Sequence, residues 1–238
     1  MWKRVVTGTA SRVTNSPRLI AVSEPRHAEA VALVLHGGAS RRGNPMVSPT
    51  QLSVLRMIPI AQRLARADRR RLAVYRLLNS TRGWDTSHTP VDDVRWAIDQ
   101  LREGFGSDLP VGLVGHSLGG RAAILAGARP EVRSVVALNP WVYPADGQTD
   151  LTGRRVLVVH GTDDRIASPA NSTAAARALS STAEVTFVRV EGGKHAMLRR
   201  HADFDRLAAE FTADALLEGR TPRGVVAQAF AGETLIDI

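Results

Sequence analysis

Short runs of valine, leucine and isoleucine alternate along this chain with longer stretches in which apolar residues recur every three or four positions. The runs AVALVLH (30–36), RLAVYRLL (71–78), PVGLVG (110–115), SVVALN (134–139), RRVLVVH (154–160) and EVTFVRV (184–190), each bounded by turn residues, read as strands. Residues 4–22 read as one or two weaker antiparallel edge strands. Between the strands, 49–67, 118–128, 169–180 and 199–218 carry helical periodicity, the first with an expected kink at Pro59. A further helix starts where Thr89 caps it, with Pro90 at its first position, Asp92 and Asp93 in its first turn, and Val91, Val94, Ile98 and Leu101 on one face. Strand and helix in alternation predict an α/β fold, a mostly parallel central sheet of about eight strands with helices on both faces. One domain is expected over 1–238, with 219–238 as a tail that is docked or mobile.

Composition changes this picture little. The chain has no cysteine, which excludes disulfides, thiolate metal sites and a cysteine nucleophile. Its net charge of +8 is carried almost wholly by arginine, Lys3 and Lys194 being the only lysines. The arginines are scattered and do not alternate with aromatics, so no nucleic-acid partner is expected. No apolar run approaches the roughly 18 residues of a membrane span, and MWKRVVTGTASR has no apolar core of a secretory signal, so a cytoplasmic protein without membrane partners is expected.

The candidate chemistry starts at VGLVGHSLGGRAAIL (111–125), where a strand turns through glycines into a helix with Ser117 at the bend. GHSLGG matches G-x-S-x-G, the elbow that holds a nucleophile in a strained backbone position above a sheet. Gly115 and Gly119 lack the β-carbons that would collide in so tight a turn. By chance the pattern arises on the order of once in ten or so chains of this length, so it needs company. A serine hydroxyl needs a base, and an imidazole, with an unperturbed pKa of about 6.5, suits that task. His195 in GGKHAML comes immediately after the final strand. The imidazole needs a carboxylate to fix its tautomer, and HGTDDRIASP offers Asp163 and Asp164. HGG (36–38) follows another strand, and there the N–H of Gly38, or of Ala39 one residue on, can join that of Leu118 in facing an oxyanion.

With HGG, GHSLGG, GTDDRIASP and GGKH in this order, the chain resembles the α/β-hydrolase superfamily over about residues 19–218. In that family's G-x-x-D pattern the acid is the third residue after the glycine, which selects Asp164. Members that carry the acid one strand earlier would need a carboxylate where this chain has Asn139. Many relatives insert a cap between the strands that here end near 139 and begin near 155; the short connection implies an open site of the capless esterase and dienelactone-hydrolase-like type. The resemblance implies a cofactor-independent serine hydrolase of small-molecule carboxylic esters or thioesters, with Ser117, Asp164 and His195 as triad. Dienelactone hydrolases usually carry cysteine as nucleophile, so the serine argues against that exact activity. Two other outcomes share the scaffold: an acyltransferase using the same triad, separated by product analysis with competing acceptors, and a non-catalytic ligand-binding protein.

Other residues receive plainer readings. His116 is expected to pack away from the base position, His36 and His160 to bond neighbouring loops, and Asp163 to lie at the surface. With neither cysteine nor H-E-x-x-H, and with His195 and His201 six apart, no metal is expected. Trp84, Trp141, Tyr143 and Met46 are candidate apolar walls of the substrate site. Arg69 to Arg71, Arg129, Arg133, Arg154 and Arg155 fall on the face opposite the site, whereas Arg41, Arg42, Arg82 and Arg199 fall on the catalytic side and could attract an anionic acyl group. The oligomeric state is not legible.

Overall fold

The computed structural model describes residues 16–39, 46–84, 88–106 and 109–238. Its strands are β1 (Arg18–Ser23), β2 (Ala30–Leu35), β3 (Leu72–Leu78), β4 (Val111–His116), β5 (Val132–Leu138), β6 (Arg155–Gly161), β7 (Glu184–Val190) and β8 (Leu235–Asp237). They form one sheet in the order β1-β3-β2-β4-β5-β6-β7-β8, parallel except for β1, which runs against β3. Of the stretch read as edge strands, 4–15 lies outside the described residues.

The helices are α1 (Leu52–Leu55), α2 (Met57–Ala67), α3 (Thr89–Phe105), α4 (Leu118–Ala126), α5 (Pro169–Leu179), α6 (His201–Leu216) and α7 (Gly224–Phe230). Val31, Leu33 and Leu35 of β2 face a core shared with α3, α4 and α5, while Ala30, Ala32 and Val34 face one shared with α2, α6 and α7. Cover on both faces explains why that strand is apolar at every position instead of alternating.

Two details differ from the periodicity, and a third decides between two alternatives. The first helical stretch breaks at Arg56, not at Pro59, which sits at the third position of α2. A proline costs little there, because that N–H has no partner within the helix in any case. Thr89 is the first residue of α3, and His88 precedes it with a left-handed backbone, φ 60°. The tail is docked: α7 packs on α6 and Phe230 lies edge-on to Phe211, with ring centroids 5.5 Å apart, while β8 extends the sheet beside β7.

Two features of the topology set up the site. The chain passes from β2 to β3, then back across β2 to β4, so the strand order reverses between β2 and β4; ligands of open α/β sheets bind above such a point. The connection from β5 to β6 holds a single 3₁₀ turn, Pro144–Gln148, and no inserted cap covers the strand ends. No helix among the described residues is long and apolar enough to cross a membrane.

Candidate active site

Ser117 occupies the bend between β4 and α4 at φ 55°, ψ −119°, a conformation that a side chain adopts only when its surroundings enforce it. They do so here: its N–H donates to the Leu138 carbonyl at 3.0 Å, and its carbonyl accepts from the Trp141 N–H at 3.0 Å. A β-carbon on Gly115 would run into the Gly119 carbonyl, and one on Gly119 would come within 2.5 Å of the Leu35 carbonyl. Both glycines are therefore sterically required by the elbow, as the sequence implied. Gly37 also brings the loop after β2 near the elbow, since a β-carbon there would lie 3.0 Å from Ser117 Cβ.

His195 Nε2 lies 3.1 Å from Ser117 Oγ, and its Nδ1 lies 2.8 Å from Asp164 Oδ2. An ionised carboxylate only accepts, so Nδ1 carries the hydrogen and Nε2 is left to accept from the serine hydroxyl. The other oxygen of Asp164 accepts from the Ile166 and Ala167 N–H groups at 2.8 and 3.0 Å, which fixes the carboxylate in its loop. Burial alone would raise the Asp164 pKa. Contact with the His160 and His195 rings and the Ile166 N–H outweighs it and holds the carboxyl well below the usual carboxylate range. Asp163 is exposed, and its backbone N–H bonds the Gly193 carbonyl at 2.9 Å.

Two histidines stand elsewhere than expected. His116 is turned toward His195: its Nε2–H donates to the His195 carbonyl at 2.8 Å, and the two rings lie 5.0 Å apart between centroids. Burial, with the nearby His195 ring, pushes its pKa down to about 3, so it is a neutral donor. His160 does not bond a loop; its Nε2 approaches Asp164 Oδ2 to 3.3 Å, in poor alignment for a hydrogen bond. His36 behaves as read, with Nδ1 bonding the Gly37 carbonyl at 2.6 Å and Nε2 accepting from the Asn79 N–H at 3.2 Å.

The loop carrying His195 is tied down by a residue to which the sequence assigned no role. Asn139, fully buried at the end of β5, donates from Nδ2 to the carbonyls of Lys194 and His195 at 3.0 and 3.1 Å. Its Oδ1 accepts from the Gly161 N–H at 2.8 Å. One amide thus links the carboxyl ends of β5 and β6 to the histidine loop.

The sequence carries the same signature at family level. A model described as "alpha/beta hydrolase fold" matches residues 33–150, and one described as "Alpha/beta hydrolase family" matches 106–203. The chain belongs to the α/β-hydrolase superfamily. No curated protein matches this α/β-hydrolase-fold chain by sequence. Among solved structures it is similar to Est1E from Butyrivibrio proteoclasticus with ferulic acid bound, at 15% identity, covering 84% of this chain and 95% of that one with a TM-score of 0.62. It is also similar to XC6422 from Xanthomonas campestris, an α/β serine hydrolase without lid, at 21% identity, coverage of 86% and 90%, and TM-score 0.60. A third is dienelactone hydrolase from Anabaena variabilis, at 20% identity, coverage of 85% and 100%, and TM-score 0.60. At these identities the likeness establishes the fold.

In this α/β-hydrolase fold a cavity of about 960 Å³ opens above Ser117 and His195. Gly38, Ala39 and Leu118 line it, and Leu118, as first residue of α4, has an N–H with no acceptor inside its helix. Trp84, Trp141 and Tyr143 stand in the wall, whereas Met46 is exposed and is not among the described residues that line the cavity. Among the described residues the arginines in the wall are Arg56 and Arg121; Arg82 and Arg199 do not line it, and Arg41 and Arg42 lie outside the described residues. Arg121 could have been placed from sequence, since it follows Ser117 by four residues on the elbow's own helix and so shares its face. Arg56 depends on a contact across the fold that no local pattern signals.

Proposed function

We propose that this chain is a serine hydrolase that cleaves carboxylic esters or thioesters through an acyl-enzyme. One observation carries the reading: a single imidazole spans Ser117 Oγ and Asp164 Oδ2 through its two nitrogens, at 3.1 and 2.8 Å, at the floor of an open cavity. The open strand ends agree with it, as does the similarity to a serine hydrolase without lid.

In this reading Ser117 Oγ attacks the carbonyl carbon while its proton passes to His195 Nε2, and ionised Asp164 stabilises the imidazolium so formed. The carbonyl oxygen becomes an oxyanion held by the N–H groups of Leu118 and Gly38, preorganised donors of the kind that carry much of such catalysis. The carbon–oxygen or carbon–sulfur bond to the leaving group breaks, and His195 Nε2–H returns the proton to that alcohol or thiol. Water then attacks the acyl-enzyme with His195 again as base, releasing the acid and restoring the Ser117 hydroxyl.

Ser117→Ala is expected to abolish both hydrolysis of p-nitrophenyl butyrate and labelling by a fluorophosphonate probe, while the circular dichroism spectrum stays that of the wild type. Labelling that survives the substitution removes Ser117 as nucleophile.

A further inference from the structure

The triad leaves the substrate's chemistry open, and the surface around it narrows that chemistry. Among the described residues of the cavity wall, Arg56 and Arg121 are cationic and none is a carboxylate. Neither arginine is available to a ligand charge. Arg56 donates to Asp205 Oδ1 at 2.8 Å and to the Ala196 carbonyl at 3.1 Å. Arg121 is held by both oxygens of Asp146, at 2.8 and 3.0 Å, and its guanidinium lies over the rings of Trp84 and Tyr143, 4.3 and 4.8 Å from their centroids. Among the described residues, a carboxylate or phosphate entering here would lose its hydration and meet cations already neutralised, and an ammonium group would meet no acid.

The apolar lining continues out past the mouth. Leu52, Ile166 and Leu198 are 83%, 60% and 70% exposed, and Leu55, Trp141 and Tyr143 stand beside them, all of them part of the wall. They come from four separate stretches: α1, the segment after β5, the loop after Asp164 and the loop after His195. A single exposed leucine needs no explanation, but large apolar side chains gathered from separate segments around one opening mark a binding surface.

We infer that the site takes uncharged esters or thioesters bearing an extended apolar chain, with the chain on the collar of Leu52, Leu55, Ile166 and Leu198 and the ester carbon above Ser117. This rests on the serine-hydrolase reading.

Two substrate series separate a chain on the acyl side from one on the alcohol side: p-nitrophenyl esters from acetate to decanoate, and alkyl acetates from ethyl to decyl. Full burial of a methylene contributes up to about fourfold in affinity, so partial cover predicts a rise of about tenfold or more in kcat/KM between two and eight carbons in at least one series. Anionic p-nitrophenyl hemisuccinate is expected to be about tenfold or more poorer than the uncharged butyrate, because its charge is left unmatched. Leu52→Asp and Leu198→Asp, both at exposed positions, are expected to lower the eight-to-two-carbon ratio about fivefold.

A second arm needs no turnover. The Ser117→Ala protein is expected to enhance the fluorescence of the neutral probe N-phenyl-1-naphthylamine, to release it to 1-decanol, and to bind it more weakly when Leu52→Asp or Leu198→Asp is added. Probe binding at the collar without Ser117-dependent hydrolysis overturns the hydrolase reading and leaves the neutral apolar site standing. Ser117-dependent hydrolysis that is flat or falling with chain length in both series, or that favours the hemisuccinate, overturns the inference and leaves the hydrolase reading standing.

Discussion

A serine hydroxyl gains nothing from an imidazole whose hydrogen sits on the nitrogen facing it, so the residue that fixes the tautomer matters as much as the base. Asp164 accepts from His195 Nδ1 and is itself held by two backbone N–H groups, whereas Asp163, one position earlier, faces solvent. Asp164→Asn would present an amide donor to Nδ1 and drive the hydrogen to Nε2, against Ser117. The expected loss in kcat on p-nitrophenyl butyrate is about 10⁴-fold. Asp163→Asn changes only an exposed carboxylate and is expected to alter kcat by no more than about twofold. The opposite pattern would assign the acid to Asp163. At this scale the sequence was most informative, because strand-end motifs constrain the residue that follows them: Ser117, Asp164 and His195, far apart in the chain, are brought together. It was least informative for side chains such as His116 and His160, which turn toward His195 and Asp164.

The element that carries His195 is a loop, and its position depends on the ends of two strands. Asn139 joins those strand ends to the loop, holding a backbone φ of 40° that asparagine tolerates better than most residues. Asn139→Ala removes these bonds and leaves the buried Gly161 N–H without its partner, which costs about 2–4 kcal/mol. Asn139→Gly removes the same bonds but relaxes the backbone, so it is expected to recover part of the thermal stability while losing as much kcat as the alanine variant. Loss of kcat with KM little changed, in both variants, marks a positioning residue; recovery of kcat in the glycine variant would mean that backbone strain was the cause. The sequence showed Asn139 only as a place where a carboxylate is missing, since hydrogen bonding to residues 22 and 55–56 positions away leaves no periodic trace. The same limit hid β8. Leu235–Asp237 is too short to carry an alternating pattern and becomes a strand by pairing with Phe187 to Arg189. The long strands and helices were legible because their apolar faces are dictated by two continuous cores.

At the scale of the whole molecule, the groups that shape the site also set how the fold responds to acid. His116 is buried neutral with its pKa pushed down to about 3, against about 6.5 in an unfolded chain, and burial likewise lowers His36. Between those two pH values the unfolded chain binds a proton at His116 that the folded chain refuses. Its share of the stability is therefore complete above about pH 6.5 and falls on acidification by about 1.4 kcal/mol per pH unit. Asp164 acts in the same direction at lower pH: its folded pKa is depressed, so its contribution is present above the ordinary carboxylate value of about 3.9 and is lost as pH falls below it. Urea unfolding at pH 7, 6 and 5 isolates the first of these. His116→Gln keeps an amide donor near the His195 carbonyl but cannot titrate, so its stability is expected to fall more slowly than the wild type's below pH 6.5, by close to one proton, or about 1.4 kcal/mol per unit. His36 remains in both proteins and cancels in the comparison. Parallel pH dependences would show that His116 carries the same charge in the folded and unfolded chains and would overturn its assignment as a buried neutral imidazole.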